Sequence, residues 1–150
     1  MRMTVEVSVD KHRLALPLTV VAQVARAAMV TPLPDAPALL LGVIDFHGEL
    51  IPVLDIRVRL GLESRPLRLS DLLVVLRTPS RCLAIVVDGV IGITEWEERD
   101  FVPARTLAAE SGVFEGVARG GEGLLVIVDP DAFLGQKERA VLDEALADHE

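Results

Sequence analysis

The chain is short of cysteine, aromatic residues and positive charge, and each shortage removes a class of function. One cysteine, Cys82, excludes an internal disulfide framework and suits a reducing compartment. Aromatic residues make up 3% of the chain, with no tyrosine, too few for a surface that stacks on nucleic-acid bases. The 15 basic residues are outnumbered by 23 acidic ones, for a formal net charge of −8. Nucleic-acid binding rests on neutralising phosphates, so this balance argues against it. The acid is dispersed along the chain, as in a solvated surface that aids solubility. No apolar run approaches the roughly 18 residues that cross a bilayer, and Met1 to Asp10 lack the apolar core of a signal peptide. These absences predict a soluble, cytoplasmic protein with no nucleic-acid partner and no membrane insertion.

What remains is aliphatic: 51% of the residues are hydrophobic. A chain of 150 residues makes about one domain, or two small lobes sharing a core. A domain of this size buries roughly 68–70% of its unfolded surface and needs no disulfide or metal to hold together. Residues 4–9 alternate polar and apolar side chains, the period of a strand with one wet face. Asp10-Lys11-His12 then turns the chain into a second strand at 13–18. Thr19 is a candidate cap for a short helix opening at Val20, with strand expected over 24–30. Pro32, Pro34 and Pro37 are expected to interrupt regular structure. Two strand-like runs meet at a tight His47-Gly48-Glu49 turn, and residues 56–60 read as a short helix ended by Gly61.

Apolar runs at 72–76 and 83–87 have strand length, and Asp88-Gly89 turns the second into another strand at 90–96. Residues 103–112 read as a surface loop with a helical turn near Leu107. Residues 114–118 and 124–128 form one more hairpin. Joins this short cannot be parallel crossovers, which need a dozen or more residues, so the fold is expected to be all-β and mainly antiparallel. Continuous apolar strands in such a fold imply burial on both faces, as in two small barrels packed together. Pro52 should lie at an edge or a bulge, because it has no N–H for the ladder. Residues 136–150 have helical period, with Val141, Leu142, Ala145 and Leu146 as one apolar stripe. Acid at the C-terminal end opposes the helix dipole, so this helix is expected to be held by docking.

Few residues suggest chemistry. His47 lies near Asp45, Glu49 and Asp55 in sequence, but without clustered metal-ligand spacing, and reads as decoration of an exposed turn. Cys82 begins an apolar strand with no general base nearby, as a structural thiol would. Gly120-Gly121-Glu122-Gly123 lacks the Lys-Ser/Thr of a phosphate loop and precedes a strand. Asp129-Pro130-Asp131 has the form of a helix cap. No serine occupies a Gly-x-Ser-x-Gly elbow. The residues point to no enzyme, no cofactor and no metal.

The stretch Gly42-Val43-Ile44-Asp45-Phe46-His47-Gly48-Glu49-Leu50-Ile51-Pro52-Val53-Leu54-Asp55 closely resembles the signature of the CheW-like family of chemotaxis adaptors. Further pieces follow the family's order: Val20-Val21-Ala22-Gln23-Val24, Thr31-Pro32-Leu33-Pro34, Asp55-Ile56-Arg57, Val86-Val87-Asp88-Gly89-Val90 and Phe114-Glu115-Gly116-Val117. The resemblance implies one domain over residues 1–150. It would be two packed five-stranded SH3-like β-barrels with short helices and a C-terminal helix over 136–150. It implies a non-enzymatic scaffold coupling chemoreceptors to a CheA-like histidine kinase. The partners would be that kinase's regulatory domain and the cytoplasmic tip of a chemoreceptor. With no ATP-binding module or receiver in the chain, a stand-alone adaptor is expected. An adaptor of a divergent chemosensory pathway, serving surface motility or another output, is the alternative. By position, Val21, Gln23, Gly42, Gly48, Leu72 and Ile93 match family contact sites in a groove between the barrels. Two departures stand out. Asp45-Phe46-His47-Gly48 replaces the family's usual Asn-Leu-Arg-Gly, and Gln23 stands where glutamate is common. Loss of a guanidinium removes a charge-assisted hydrogen bond worth roughly 1.5–3 kcal/mol, so His47 implies a partner surface that differs from the usual one.

Overall fold

The computed structural model describes residues 1–107, 112–120, 123–134, 139–140 and 143–144. Among the described residues, twelve strands form two six-stranded sheets, one to each lobe. The first lobe holds β1 (Arg2–Val9), β2 (His12–Pro17), β9 (Gly89–Trp96), β10 (Phe101–Pro103), β11 (Phe114–Gly120) and β12 (Gly123–Val128). Their spatial order is β10-β11-β12-β2-β1-β9. The second lobe holds β3 (Val21–Arg26), β4 (Thr31–Pro32), β5 (Leu40–Phe46), β6 (Glu49–Leu54), β7 (Leu72–Arg77) and β8 (Cys82–Val87). Their order is β3-β7-β8-β6-β5-β4. Every neighbouring pair is antiparallel except β12 with β2 and β6 with β8, so the mainly antiparallel reading holds.

Each sheet has six strands rather than the expected five because short edges are added. β4 lies inside the proline-rich stretch expected to be irregular, but Pro32 is on an edge strand, where a missing N–H breaks no ladder. The helix expected from Val20 is a single 3-10 turn over Leu18–Val20 without a side-chain cap, so Thr19 does not cap it. Strand β3 follows at once, three residues before the expected start, and stops at Arg26. Pro52 lies opposite Val43 in β6, which is a central strand. Pairing of β6 with β8 begins only at Val53, so the proline occupies the half of the strand that lacks that neighbour. The helix after the signature hairpin is present as α1 (Ile56–Arg59), capped by the Asp55 carboxylate, which accepts from the Arg57 N–H at 3.1 Å. Residues 139–140 and 143–144 are helical, and Arg81 donates to Asp143 at 2.8 Å. The apolar stripe expected at Val141, Leu142, Ala145 and Leu146 lies outside the described residues.

The two lobes repeat one plan. Read from an edge, β4-β5-β6-β8-β7-β3 and β10-β11-β12-β2-β1-β9 place the parallel pair at the same point. The β5–β6 and β11–β12 hairpins correspond at a spacing of 74 residues, with Gly42 matching Gly116, Leu54 matching Val128 and Asp55 matching Asp129. Both hairpins bulge just before the glycine, and both glycines face an edge-strand proline, Pro32 or Pro103. A side chain is forbidden there. A Cβ on Gly42 would stand 2.2 Å from the Thr31 carbonyl oxygen, and one on Gly116 2.3 Å from that of Val102. The lobes differ in which hairpin completes them. β7–β8 follows β6 in sequence, whereas its counterpart in the first lobe, β1–β2, comes from the start of the chain.

Those two hairpins make the main core. Val5, Val7, Val9, Leu14 and Leu16 of β1–β2 pack with Val74, Leu76, Leu83, Ile85 and Val87 of β7–β8. The alternate residues fill the lobe interiors. Leu73, Val75 and Ala84 join Ile44, Ile51 and Val53 in the second lobe, while Ala15 joins Trp96, Ala118, Leu125 and Ile127 in the first. Burial on both faces, expected from the continuous apolar runs, is therefore observed.

A polar clasp ties the lobes together beside this core. Asp88, in the link from β8 to β9, accepts from the Asp10 N–H at 2.6 Å, from Arg57 at 2.7 Å and from Arg65 at 2.6 Å. Arg57 also pairs with Asp10 in the β1–β2 turn, and Arg65 forks onto both oxygens of Asp71 at 2.8 and 2.9 Å. Partial burial works to raise the Asp88 pKa, but the hydrogen bonds from Asp10, Arg57 and Arg65 outweigh it and hold the carboxyl below its usual range. The Arg65 fork likewise lowers Asp71.

Carboxyls depressed in the folded state stabilise it above their unfolded pKa, and that stability is lost as pH falls through the folded values. Asp88→Asn is thus expected to cost about 2 kcal/mol at neutral pH, with the gap to the parent closing in acid. Urea denaturation at several pH values checks this. Gly42→Ala and Gly116→Ala are each expected to cost about 1–3 kcal/mol by overpacking. A loss at one site alone would contradict the repeat.

Candidate partner-binding groove

Cross-strand partners in an antiparallel pair share a face, so the register shows where the edge strands aim. On β3, Val21 lies opposite Leu76 and Val24 opposite Val74, and both of those partners belong to the shared core. Leu72 lies opposite Val87 of the same core. On β9, Val90 lies opposite Val7 and Ile93 opposite Val5, across a bulge that leaves Ile91 unmatched. Val21, Leu72 and Val90 are half-buried against the shared core, whereas Val24 and Ile93 are 41% and 61% exposed. The apolar faces of β3 and β7 in one sheet and of β9 in the other thus continue from the shared core toward solvent, and together they define a candidate slot. Arg26, opposite Leu72, puts a cation at one end.

Of the seven residues expected at the site, Val21, Leu72 and Ile93 lie on strand faces turned to the shared core. Gln23 is exposed on β3 but follows a bulge and lies opposite Val75, whose side chain fills the second lobe. Gly42, His47 and Gly48 lie on the β5–β6 hairpin. Gly42 is buried, and the close approach it permits is to the backbone of β4. His47 and Gly48 form the two-residue turn between Phe46 and Glu49, with φ of 53° and 85°. These values fit the hairpin turn whose twist matches its strands, which glycine adopts freely and histidine at some cost. Asp45 secures the turn by accepting from the Gly48 N–H at 2.8 Å, so this carboxylate is a turn brace.

The hairpin tip sits at the far end of β7 from Leu72. The Arg77 guanidinium lies 6.0 Å from the Phe46 ring centroid, and five residues of strand between Leu72 and Arg77 span about 17 Å. His47 is exposed, its ring edge-on to Phe46 at 4.4 Å. The molecule thus offers two separate surfaces, an apolar slot and a polar hairpin tip. Cys82, near the tip, is half-buried, and burial chiefly raises its thiol pKa, which disfavours a thiolate nucleophile. Among the described residues, no three His, Cys, Asp or Glu side chains are placed to hold a metal, and no helix is long and apolar enough to cross a membrane.

Sequence reasoning missed Val24 and Val90 as slot residues and the Asp88 clasp altogether. The two valines were legible as strand residues, but which face they share needs the register. Asp88 was read as a turn signal, and no pattern links it to Arg57 and Arg65.

Comparison with known proteins agrees with this architecture. The family model described as a CheW-like domain matches residues 4–138. The Rhizobium meliloti chemotaxis protein CheW is 31% identical over 111 residues, covering 73% of this chain and 72% of that protein. Protein FrzA of Myxococcus xanthus is 34% identical over 91 residues, 61% of this chain and 57% of its own. The crystal structure of the scaffolding protein TtCheW from Thermoanaerobacter tengcongensis superposes with a TM-score of 0.81 at 20% identity, covering 91% of this chain and 94% of that one. That last likeness speaks for the fold. The chain belongs to the CheW-like family.

Exposed and half-buried slot residues should separate in stability. Ile93→Asp is expected to change it by no more than about 0.5 kcal/mol, whereas Leu72→Asp, which sets a carboxylate against the shared core, should cost about 2 kcal/mol or more. Chemical denaturation of the two variants checks the slot geometry.

Proposed function

Taking membership of the CheW-like family as the premise, we propose that this protein is a non-enzymatic chemotaxis adaptor. It couples the cytoplasmic tip of a chemoreceptor to the regulatory domain of a CheA-like histidine kinase in the cytoplasm. The observation that carries the reading is the apolar slot between the lobes, where Val24 and Ile93 stand exposed at the rim of the shared core. An amphipathic helix lays its apolar face into a groove of this kind, and a coiled-coil receptor tip presents such a face. Val21, Val24, Leu72, Val90 and Ile93 are its contacts in this proposal, with Gln23 on the flank. The hairpin tip with His47 and Gly48 is a second contact surface, so receptor and kinase can bind at once. Standard interfaces bury about 1,200–2,000 Å² in total, and a body with two lobes has room for two. In this reading each sheet closes on itself as an SH3-like barrel.

A divergent chemosensory pathway is the second reading, favoured by His47 where the family carries arginine. Binding of a receptor-tip fragment and of a kinase regulatory domain, measured separately by calorimetry, tests both. Val24→Asp and Ile93→Asp are expected to weaken receptor binding by roughly tenfold or more, about 1.4 kcal/mol each, and to leave kinase binding unchanged. Equal loss for both partners, or for neither, would overturn the assignment of the slot. His47→Arg should weaken or leave unchanged the binding of the cognate partner; tighter binding would contradict a histidine adapted to it.

A further inference from the structure

We propose that the mouth of the first lobe, apart from the slot, binds an uncharged carbonyl compound with a short aliphatic chain, of the alkyl ketone or amide class. A cleft of about 500 Å³ opens there, within the range of ligand pockets. Buried Thr4, Trp96 and Ile127 line its inner part, and half-buried Leu18 and Phe101 add an apolar wall. In the β1–β9 ladder Arg2 lies opposite Trp96 and Thr4 opposite Thr94. Cross-strand partners share a face, and so do alternate residues of a strand. These four side chains therefore turn to the lobe interior together, with the Arg2–Trp96 pair outermost. The Thr4 hydroxyl donates to the Thr94 carbonyl at 3.0 Å. The Trp96 indole N–H, in contrast, is buried without an acceptor, which native proteins seldom tolerate.

The unpartnered donor selects the guest. Only an acceptor satisfies an N–H, so an alkylammonium, which carries donors alone, does not fit. A carboxylate would accept, but its charge would lie among Leu18, Phe101 and Ile127 without a counter-ion, at a high desolvation cost. At the rim Arg2 is already paired with Glu98, and exposed Glu115, which also lines the cleft, repels an anion. A carbonyl oxygen meets the demand of the indole without bringing a charge, while its alkyl chain lies against the apolar wall. Arg2 and Glu98 are both exposed, and an exposed ion pair contributes little, so it can part to let the oxygen reach the indole. Met1 and Met3, exposed at the same mouth, are unbranched and adapt to the shape of the guest. The site does not depend on the adaptor reading, because Trp96 and Ile127 belong to the first-lobe interior and not to the slot.

Trp96 is the single tryptophan, so its indole N–H gives a single NMR resonance that reports on this donor alone. The isotope-labelled full chain is titrated with butyl methyl ketone, hexylammonium and hexanoate. The expected result is a saturable downfield movement of the indole proton with the ketone. It should occur at concentrations roughly tenfold below those at which the amine or the acid perturbs the cleft. Trp96→Phe keeps a ring beside Phe101 but removes the N–H, and should weaken ketone binding about tenfold, read from the backbone amides of Thr4 and Ile127. Glu115→Gln should leave ketone binding unchanged. If Trp96→Phe does not fold, the indole resonance of the parent chain still decides. The proposal is overturned by an indole resonance that ketone does not move, or by equal or stronger binding of the amine or the acid. Ketone affinity that is unchanged in folded Trp96→Phe, or lost in Glu115→Gln, also overturns it.

Discussion

The β1–β2 and β7–β8 hairpins each bury one aliphatic face against the other, and the core they share is the constraint from which the rest follows. The other face of β7–β8 fills its own lobe with Leu73, Val75 and Ala84, whereas that of β1–β2 gives its lobe only Ala15 beside the polar Thr4 and Glu6. Neither lobe can lose its partner without exposing a row of Val and Leu residues, at roughly 25 cal/mol for each Å² of apolar surface. The two halves of the chain are interlaced as well. The first lobe takes its hairpin from the N-terminal end and its other strands from the second half of the sequence. The Asp88 clasp adds direction to this packing, because Arg57 reaches from the second lobe to both Asp10 and Asp88.

A shared core that reaches the surface leaves apolar side chains exposed at its margin. The same alternation that buries Val74 and Val5 brings Val24 and Ile93 to the rim. In the proposed reading these residues border a slot that follows from two-lobed packing. The protein's working parts in that reading are shape and apolar surface, held by the strands, with a braced hairpin tip as a second, polar surface some distance away.

Much of this was legible in the sequence, and the exceptions have physical causes. The runs at 72–76 and 83–87 could only be strands buried on both sides, and short joins made them antiparallel. The Asp129 cap followed from local chemistry alone. The helix expected at Val20 failed because Val21 to Arg26 is held by pairing with β7, a non-local choice that overrides local propensity. Pro32 entered a strand because an edge position removes the usual objection. At the site, Val21, Leu72 and Ile93 came from family resemblance, while the orientation of each toward the shared core came only from register. Gly42 shows the reverse case, a residue expected at a contact whose evident constraint is the backbone of β4. The clasp was invisible for a simpler reason: residues 10, 57, 65 and 88 meet only after folding.

The most direct test of the central claim is a map of backbone amide shifts in the labelled full-length chain as a receptor-tip coiled coil is added. The account predicts that the amides that move cluster on β3, at Leu72 and along the first half of β9, while the β5–β6 hairpin tip stays still. Shifts centred on His47 and Gly48 with the slot unperturbed would contradict it.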